Sequence, residues 1–272
     1  MLKKILGFIN HWQTDCYVLS YPKCGRTWLR FMMGNVLVHH FQLNNVPLND
    51  ILMVKNLHKQ NPSIPKIRFA HDDLPNWKWI NEIETDKSRY KNKKIIFLVR
   101  DPRDLVVSNF YQKKYRGFKE KQGFKKENFK GDIAAFLPYE FGGIPNIVTY
   151  YNVWSKQKQV PKDFCLVRYE DLKSKPVETL KSIFDFLGFK EIKVESIEHA
   201  IAESTFEKMR EIEEKNLLNN QRLSAKNNTQ EEALKTRKGK VGGYKEELTP
   251  KDIEWMEQYL QQNLDAMYSC YL

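Results

Sequence analysis

The sequence lacks the long apolar segments that membrane proteins require. None of its hydrophobic runs approaches the roughly 20 residues of a membrane-spanning helix, and no apolar stretch ends in the small-residue cleavage site of a secretory signal. These absences favour a soluble protein of the cytoplasm. With 272 residues the chain can bury one large hydrophobic core, so we expect a single domain over residues 1–272.

Cysteine is scarce, with four residues in the whole sequence. They are Cys16, Cys24, Cys165 and Cys270, and no two of them form a Cys-x-x-Cys pair. This spacing predicts neither a zinc site nor a disulfide framework, which agrees with a reducing compartment.

The usual nucleotide-binding loop, Gly-x-x-x-x-Gly-Lys-Ser/Thr, is also missing. Residues 19–28 instead read Leu-Ser-Tyr-Pro-Lys-Cys-Gly-Arg-Thr-Trp, which predicts a strand, a short turn and a helix from Arg26. The backbone of Gly25 can adopt left-handed angles, so successive N–H groups can converge on an anion. The helix N-terminus and Lys23 add positive charge. The segment predicts a phosphate site, and its residue order disfavours an ATPase or a P-loop kinase.

A second segment has the same strand-to-helix design. Residues 94–99 form a continuous apolar run after the first lysine, as expected of a strand buried on both faces. Arg100 follows, and then an Asp-Pro pair suited to the N-cap and the first position of a helix, with Asp104 where an acid favours the helix start. Ser108 lies one turn later on the same helix face, directed toward the strand end. Arg100 and Ser108 are therefore predicted to share a phosphate.

The rest of the chain alternates predicted strands and helices. The strands are predicted at Tyr17 to Ser20, Ile67 to Ala70, Lys94 to Val99 and Phe164 to Arg168. This order predicts an α/β fold, a central parallel sheet flanked by helices, in which ligands bind beyond the carboxyl ends of the strands. Both phosphate segments and His71 fall at such ends.

These segments together resemble the PAPS-dependent sulfotransferase superfamily, whose cytosolic-type enzymes move a sulfuryl group from 3′-phosphoadenosine 5′-phosphosulfate (PAPS) to an acceptor. Residues 21–28 resemble the family's 5′-phosphosulfate loop, and residues 100–108 resemble its 3′-phosphate motif. Residues 237–239, Arg-Lys-Gly, match a third motif in the family's order. The resemblance implies a P-loop-like sulfotransferase domain that uses PAPS as the donor, releases adenosine 3′,5′-bisphosphate (PAP) and needs no metal.

The resemblance also implies the residues that hold the donor. Those of the 5′-phosphosulfate loop are Lys23, Cys24, Gly25, Arg26, Thr27 and Trp28. Those at the 3′-phosphate are Arg100, Ser108, Arg237, Lys238 and Gly239. Those around the adenine are Trp28, Tyr169 and the segment Ser204-Thr205-Phe206. A nucleophilic role for Cys24 is the alternative, since a helix N-terminus and a nearby Lys lower a thiol pKa, but in this family the backbone does the work at that position.

The implied catalytic set is His71, Lys23 and Ser108. An imidazole can take the acceptor's proton near neutral pH, and His71 matches the family's catalytic His just after a strand. The other three histidines between the two phosphate motifs are expected to pack or to face solvent; they are His39, His40 and His58. Asp72 and Asp73 are expected to be exposed loop carboxylates with little influence on the imidazole.

The sequence departs from the family at two places. Phe69 stands where many members carry a Lys, two residues before the catalytic His, so either Lys23 alone stabilises the transferring group or another cation substitutes. Residues 242–245 read Gly-Gly-Tyr-Lys instead of Gly-Asp-Trp-Lys, and we expect binding to survive with a different loop geometry. The family's dimer segment is only partly present, so no dimer is assumed.

The net charge of +11 suits a ligand with several negative charges, and also nucleic acid or an anionic membrane. Residues 113–130 mix basic and aromatic side chains, which can bind single-stranded nucleic acid; a solvated loop that borders the acceptor site is favoured. Residues 1–9 predict a helix packed on the domain or, alternatively, a peripheral membrane contact. The polar residues 213–235 are expected to be mobile before the donor binds.

Two function classes therefore stay open beside the disfavoured kinase. The first is a sulfotransferase that acts on a hydroxyl or amine of a small molecule, sugar or lipid, by in-line transfer with a His general base. The alternative is a non-catalytic protein that keeps the fold and binds nucleotide or nucleic acid. It predicts PAP binding without turnover, or strongly salt-dependent binding to nucleic acid.

Overall fold

The computed structural model describes residues 11–54, 56–116, 129–218, 234 and 236–272. The helix predicted at residues 1–9 lies outside the described residues. So do residues 117–128 of the basic stretch and most of the polar stretch, residues 219–233 and 235.

Four parallel strands form one sheet in the order β2-β1-β3-β4. They are β1 (Cys16–Ser20), β2 (Ile67–Ala70), β3 (Lys94–Val99) and β4 (Asp163–Arg168). The four predicted strands are confirmed, with β1 and β4 starting one residue earlier than predicted. β1 is buried along its whole length and β3 from its second residue onward, as expected of the two central strands of a covered sheet.

Helices flank the sheet, which confirms the predicted fold class. The α-helices are α1 (Arg26–His40), α2 (Leu48–Leu52), α3 (Pro102–Tyr111), α4 (Ile133–Phe136), α5 (Ile144–Gln157), α6 (Tyr169–Ser174), α7 (Pro176–Leu187), α8 (Val194–Glu203), α9 (Phe206–Glu214) and α10 (Pro250–Asn263). Single turns of 3₁₀-helix occur at Leu57–Lys59, Pro75–Trp77, Ile80–Glu82 and Ser88–Tyr90, and longer 3₁₀ segments at Gly243–Glu246 and Ala266–Tyr271; a π-helical turn spans Gln112–Arg116. Within the described residues, no helix combines the length and the apolar character needed to cross a bilayer.

The two helices that follow the phosphate segments begin where the sequence predicts. α1 begins at Arg26, directly after Gly25. α3 begins at Pro102, and the side chain of Asp101 accepts a hydrogen bond from the backbone N–H of Arg103. This cap satisfies a helix N–H that has no partner inside the helix, so the start of α3 is fixed by local sequence.

Aromatic packing beneath β3 connects the core to the strand end. The rings of Phe97 and Trp154 lie 5.2 Å apart, and both side chains are completely buried. Buried aromatic pairs of this kind contribute more than their area alone. Tyr151 lies on α5, as Trp154 does. Its hydroxyl accepts a hydrogen bond from the backbone N–H of Arg100 (2.9 Å) and donates one to the Arg100 carbonyl (2.8 Å). The core therefore fixes the backbone from which the Arg100 side chain projects.

Candidate active site

The carboxyl ends of the strands open onto a cavity of 410 Å³. We call it the strand-end cavity. Thirteen of the predicted site residues line it: Lys23, Gly25, Arg26, Thr27, Trp28, His71, Arg100, Ser108, Tyr169, Phe206, Arg237, Lys238 and Gly239. The three sequence segments that resemble phosphate motifs are thus brought together around one space.

The loop between β1 and α1 has two residues in the left-handed region. Gly25 has φ 84°, as predicted, and a Cβ added there would lie 2.7 Å from the ring of Tyr169. A side chain at this position would require the Tyr169 ring to move and would strain the backbone. Lys23 also has a positive φ, 77°, which is uncommon for a residue with a side chain and was not predicted. The loop conformation therefore depends on residues from both its own sequence and α6.

The residues predicted to surround the adenine come from three distant parts of the chain. The Trp28 indole N–H donates to the Ser204 carbonyl (2.7 Å), and the Trp28 ring lies 5.7 Å from the Tyr169 ring at an angle of 64°. The Tyr169 hydroxyl donates to the Gly239 carbonyl (3.0 Å). Gly239 in turn lies against the Phe206 ring, which a Cβ at residue 239 would approach to 2.7 Å. These contacts connect α1, α6 and α9 to the third phosphate segment.

Arg100 is held on several sides at the end of β3. Its Nη2 atom donates to the Lys240 carbonyl (2.8 Å) and to Asp104 Oδ2 (3.3 Å), and its guanidinium carbon lies 4.5 Å from the centre of the Tyr169 ring. The side chain is 11% exposed. A guanidinium fixed in this way presents directed donors to an anion in the cavity.

The sequence predicts that Asp104 stabilises the start of α3, and in the structure this residue also holds a loop from the C-terminal part of the chain. It is buried and accepts hydrogen bonds from the backbone N–H groups of Gly242 (2.9 Å) and Tyr244 (3.1 Å). The departure from the family sequence at residues 242–245 therefore still produces a loop that is held beside Arg100, through backbone N–H groups that every residue except proline provides.

The cations of the third segment are paired with an acid that the sequence analysis missed. Arg237 Nη1 and Lys238 Nζ each lie 2.6 Å from Glu247 Oε1, and the Tyr111 hydroxyl donates to Oε2 (2.6 Å). Burial favours the protonated acid, but the hydrogen bonds from Lys238, Tyr111 and Arg237 outweigh it and lower the pKa of Glu247 to about 2. Glu247 stays charged at neutral pH and holds both cations at the rim of the cavity.

His71 follows β2 and reaches into the cavity. Its Nδ1 atom lies 3.2 Å from the Ser20 carbonyl oxygen, which can only accept. In the neutral imidazole Nδ1 therefore carries the hydrogen and Nε2 carries the lone pair. The other three histidines considered in the sequence analysis do not line this cavity.

The prediction that Asp72 and Asp73 are exposed is wrong. The Asp72 side chain has no exposed surface, and it pairs with Lys87 Nζ (2.7 Å), with Arg89 and with the Tyr90 hydroxyl (2.6 Å). Burial favours its protonated form, but Lys87 and Arg89 outweigh this and lower the pKa of Asp72. The partners lie 15 to 18 residues along the chain, so no local pattern reveals them. Asp72 anchors the turn that carries His71.

Two predicted cofactor contacts, Cys24 and Ser204, do not line the cavity. The Cys24 thiol is buried 3.8 Å from the Tyr151 hydroxyl, and burial raises its pKa to about 12. A thiol in this state is not a nucleophile near neutral pH, which counts against covalent catalysis. The buried Ser204 hydroxyl accepts from the Asn35 side chain (3.3 Å), and its carbonyl holds Trp28. Both residues support the wall of the cavity from behind.

The cavity also has lining residues that the sequence analysis did not single out. They are Arg30, Leu74, Asn76, Trp77, Val107, Gln112, Lys173, Met209, Thr236 and Lys240. For Arg30 a signal was present, because it lies three residues after Thr27 and therefore on the same face of α1.

Lys113 was predicted to lie in a solvated loop, but in the structure its side chain is buried. The residue is 3% exposed, its Nζ donates to the Phe141 carbonyl (2.7 Å), and the ring centres of Phe141 and Trp77 lie 3.9 and 4.5 Å from Nζ. Among the described residues no carboxylate lies within salt-bridge distance. Burial lowers the pKa of Lys113 to about 7.

This burial makes stability depend on pH. Between about pH 7 and the ordinary lysine pKa, the unfolded chain binds a proton at Lys113 that the folded chain does not, so stability rises with pH. When the pH is raised from about 7.5 to 9, we expect the free energy of unfolding of the wild type to increase by about 2 kcal/mol relative to that of Lys113→Met. Urea denaturation of both proteins at the two pH values measures this difference. Parallel pH dependences would contradict the assigned lowering of the Lys113 pKa.

Comparison with known proteins matches nearly the whole chain to one family. A family model described as “Sulfotransferase domain” matches residues 13–268. Flavonol 3-sulfotransferase of Flaveria bidentis is 27% identical over 93% of this chain and 82% of its own length. Cytosolic sulfotransferase 13 of Arabidopsis thaliana is 26% identical over 97% of this chain and 82% of its own. Amine sulfotransferase of Oryctolagus cuniculus is 22% identical over 92% and 80%, respectively.

Among solved structures, the crystal structure of mouse sulfotransferase SULT7A1 complexed with PAP has the same fold. The two chains superpose with a TM-score of 0.57 and 22% sequence identity, over 92% of this chain and 84% of the mouse chain.

Proposed function

Since the chain belongs to the sulfotransferase family, we propose that it transfers a sulfuryl group from PAPS to a hydroxyl or amine group of an acceptor, with His71 as the general base. One observation carries the proposal. The three segments that resemble phosphate motifs line one cavity together with His71, although they are spread from residue 21 to residue 239 of the sequence.

PAPS supplies the activated sulfuryl group, and the cavity residues would bind and orient it. The backbone N–H groups of residues 23–27 and the Thr27 hydroxyl would bind the 5′-phosphate at the start of α1. Arg100, Ser108 and the third segment would bind the 3′-phosphate. The rings of Trp28, Tyr169 and Phe206 would enclose the adenine. Because Arg100, Arg237 and Lys238 add charge-assisted contacts to a 3′-phosphate, the site would prefer PAPS over a nucleotide that lacks this group.

His71 and Lys23 would perform the chemistry. As a bond forms between the acceptor oxygen or nitrogen and sulfur, Nε2 of His71 takes the acceptor's proton, with Nδ1 fixed by the Ser20 carbonyl. The bond between sulfur and the bridging phosphate oxygen breaks, and its electron pair leaves on that oxygen. The ammonium group of Lys23 would neutralise the charge that develops there.

The apolar part of the cavity lining favours an apolar small molecule as the acceptor. Phe69, Leu74, Trp77, Val107 and Met209 line the cavity with apolar and aromatic surface. The names of the relatives in Flaveria bidentis and Oryctolagus cuniculus refer to flavonols and amines. We propose an aromatic or alkyl hydroxyl or amine as the acceptor. We also propose a location in the cytoplasm, because relatives such as cytosolic sulfotransferase 13 are named as cytosolic.

Incubation with PAPS and a small acceptor panel tests the proposal. The panel contains a phenol (2-naphthol), a primary alcohol, an arylamine and a monosaccharide, and mass spectrometry detects products. We expect at least one acceptor to gain the mass of one SO₃ group, with one PAP released for each product. Lys23→Met is the matched control, and it should form little product. Tight binding of PAP without any product or PAPS consumption would instead support the non-catalytic alternative.

A further inference from the structure

Arg30 is a buried cation on the wall of the strand-end cavity. It is 7% exposed and lines the cavity together with Lys23, Thr27 and His71. On α1 it lies one helical turn after Thr27, so the two side chains share the helix face that borders the phosphate loop. The residue therefore connects the phosphate-binding start of α1 with the wall formed by β2.

The guanidinium of Arg30 stacks on Phe69. Its central carbon lies 4.5 Å from the centre of the ring, and Nη2 lies 3.5 Å from the Phe69 carbonyl oxygen. A guanidinium over an aromatic face is attracted to the ring and loses part of its rotational freedom. The stack fixes the position of the charge, with Phe69 as its platform.

The platform lies beside the proposed base. Phe69 is the last residue but one of β2, and His71 is the first residue after the strand, so the two residues are two positions apart. In an extended chain such residues lie on the same face, about 7 Å apart along the strand. A cation stacked on Phe69 is consequently held on the side of β2 where His71 enters the cavity.

We propose that Arg30 is a catalytic residue that contacts the sulfuryl oxygens and stabilises the negative charge on them during transfer. The inference rests on the proposed function and deepens it. Phe69 stands where many members of the family carry a Lys, so β2 supplies no cation at this position. The proposal assigns that charge to Arg30 on α1. Arg30 keeps its proton throughout: the acceptor's proton goes to His71, and the electron pair of the broken bond goes to the bridging oxygen. The planar donors of a guanidinium suit an oxyanion with several oxygens.

The test compares Arg30→Gln with a double variant. PAP release from PAPS is measured with whichever acceptor of the panel reacts fastest. We expect Arg30→Gln to lower kcat by about 100-fold, as expected for the loss of one fixed donor in the transition state, with KM for PAPS and for the acceptor changed by less than about 3-fold. The double variant Arg30→Gln/Phe69→Lys places a cation on β2 and should recover at least about 10-fold of that loss. Phe69→Leu alone, which keeps the charge and removes its platform, should lower kcat less than Arg30→Gln does.

Calorimetric titration with PAP and thermal unfolding verify that each variant is folded. An unchanged kcat in Arg30→Gln would overturn the inference, and so would a loss confined to KM for the acceptor, which would make Arg30 an acceptor-binding residue. If Arg30→Gln does not fold, Arg30→Lys decides: kcat within about 10-fold of wild type supports a charge role, and a larger loss in a folded, PAP-binding protein contradicts it. A wild-type protein that consumes no PAPS would refute the proposed function itself, which distinguishes the two failures.

Discussion

His71→Ala is expected to lower kcat by about 1000-fold while leaving the affinity for PAP unchanged within about 2-fold, because the variant loses the proton acceptor and keeps the nucleotide contacts. The hydrogen bond from Nδ1 to the Ser20 carbonyl leaves Nε2 for the proposed proton transfer, and no other group in the wild-type site is proposed for this task. Steady-state kinetics with the acceptor found in the panel and titration calorimetry with PAP measure the two quantities.

The pH profile separates a base from a structural role. Wild-type activity should rise with pH on the acid side as the imidazole loses its proton, and this limb should disappear from the residual activity of His71→Ala. His199→Ala is the matched control, since His199 is exposed on α8 and does not line the strand-end cavity. It should keep wild-type kcat. A His71→Ala protein with wild-type turnover would reject the assignment.

Arg100→Gln is expected to weaken PAP binding by at least about 100-fold, because a charge-assisted contact to a phosphate is lost from a largely enclosed site. Adenosine 5′-monophosphate lacks the 3′-phosphate, so its affinity should change by less than about 3-fold. The comparison of the two nucleotides by calorimetry is the readout, since it cancels any general damage to the cavity.

Stability must be measured beside affinity in this variant. Asp104 is 2% exposed in its side chain and pairs with Arg100, so removal of the guanidinium leaves a buried acid with one partner fewer. Arg100→Lys keeps the charge without the fork of donors and should lie between wild type and Arg100→Gln in its preference for PAP. Equal loss of affinity for both nucleotides would show that Arg100 does not contact the 3′-phosphate.

Local patterns were enough to predict the sheet and the ends of the strands that carry the site. The apolar run of β3 and the Asp-Pro pair after it determine a strand and a helix start within a few residues of each other. The left-handed turn at Gly25 follows from the same kind of local chemistry. Parallel strand topology then brings the segments to one edge of the sheet.

Contacts between distant segments were not predictable in this way. Asp72 looked exposed because its partners Lys87 and Arg89 come from a later segment that folds back onto it. Lys113 looked solvated because its neighbours in sequence are charged, whereas Trp77 and Phe141 enclose it in the fold. Both cases concern charges whose burial depends on tertiary packing rather than on sequence periodicity.

The pairing of Arg30 with Phe69 belongs to the same class. The helix position of Arg30 indicates a side chain near the phosphate loop, but the stack depends on β2 lying beside α1. The pairing of Glu247 with Arg237 and Lys238 likewise depends on how the chain between residues 238 and 247 folds. Sequence motifs therefore predicted most of the residues that line the cavity, and the structure was needed to find the charges that surround them.

A crystal structure of the protein with PAP tests the central claim most directly. We expect one PAP molecule in the strand-end cavity, with its 5′-phosphate on the backbone N–H groups of residues 23–27 and its 3′-phosphate within hydrogen-bond distance of Arg100 and Ser108. His71 and Arg30 should face the side of the 5′-phosphate on which the sulfuryl group is carried. PAP bound in the opposite direction, or outside this cavity, would contradict the account.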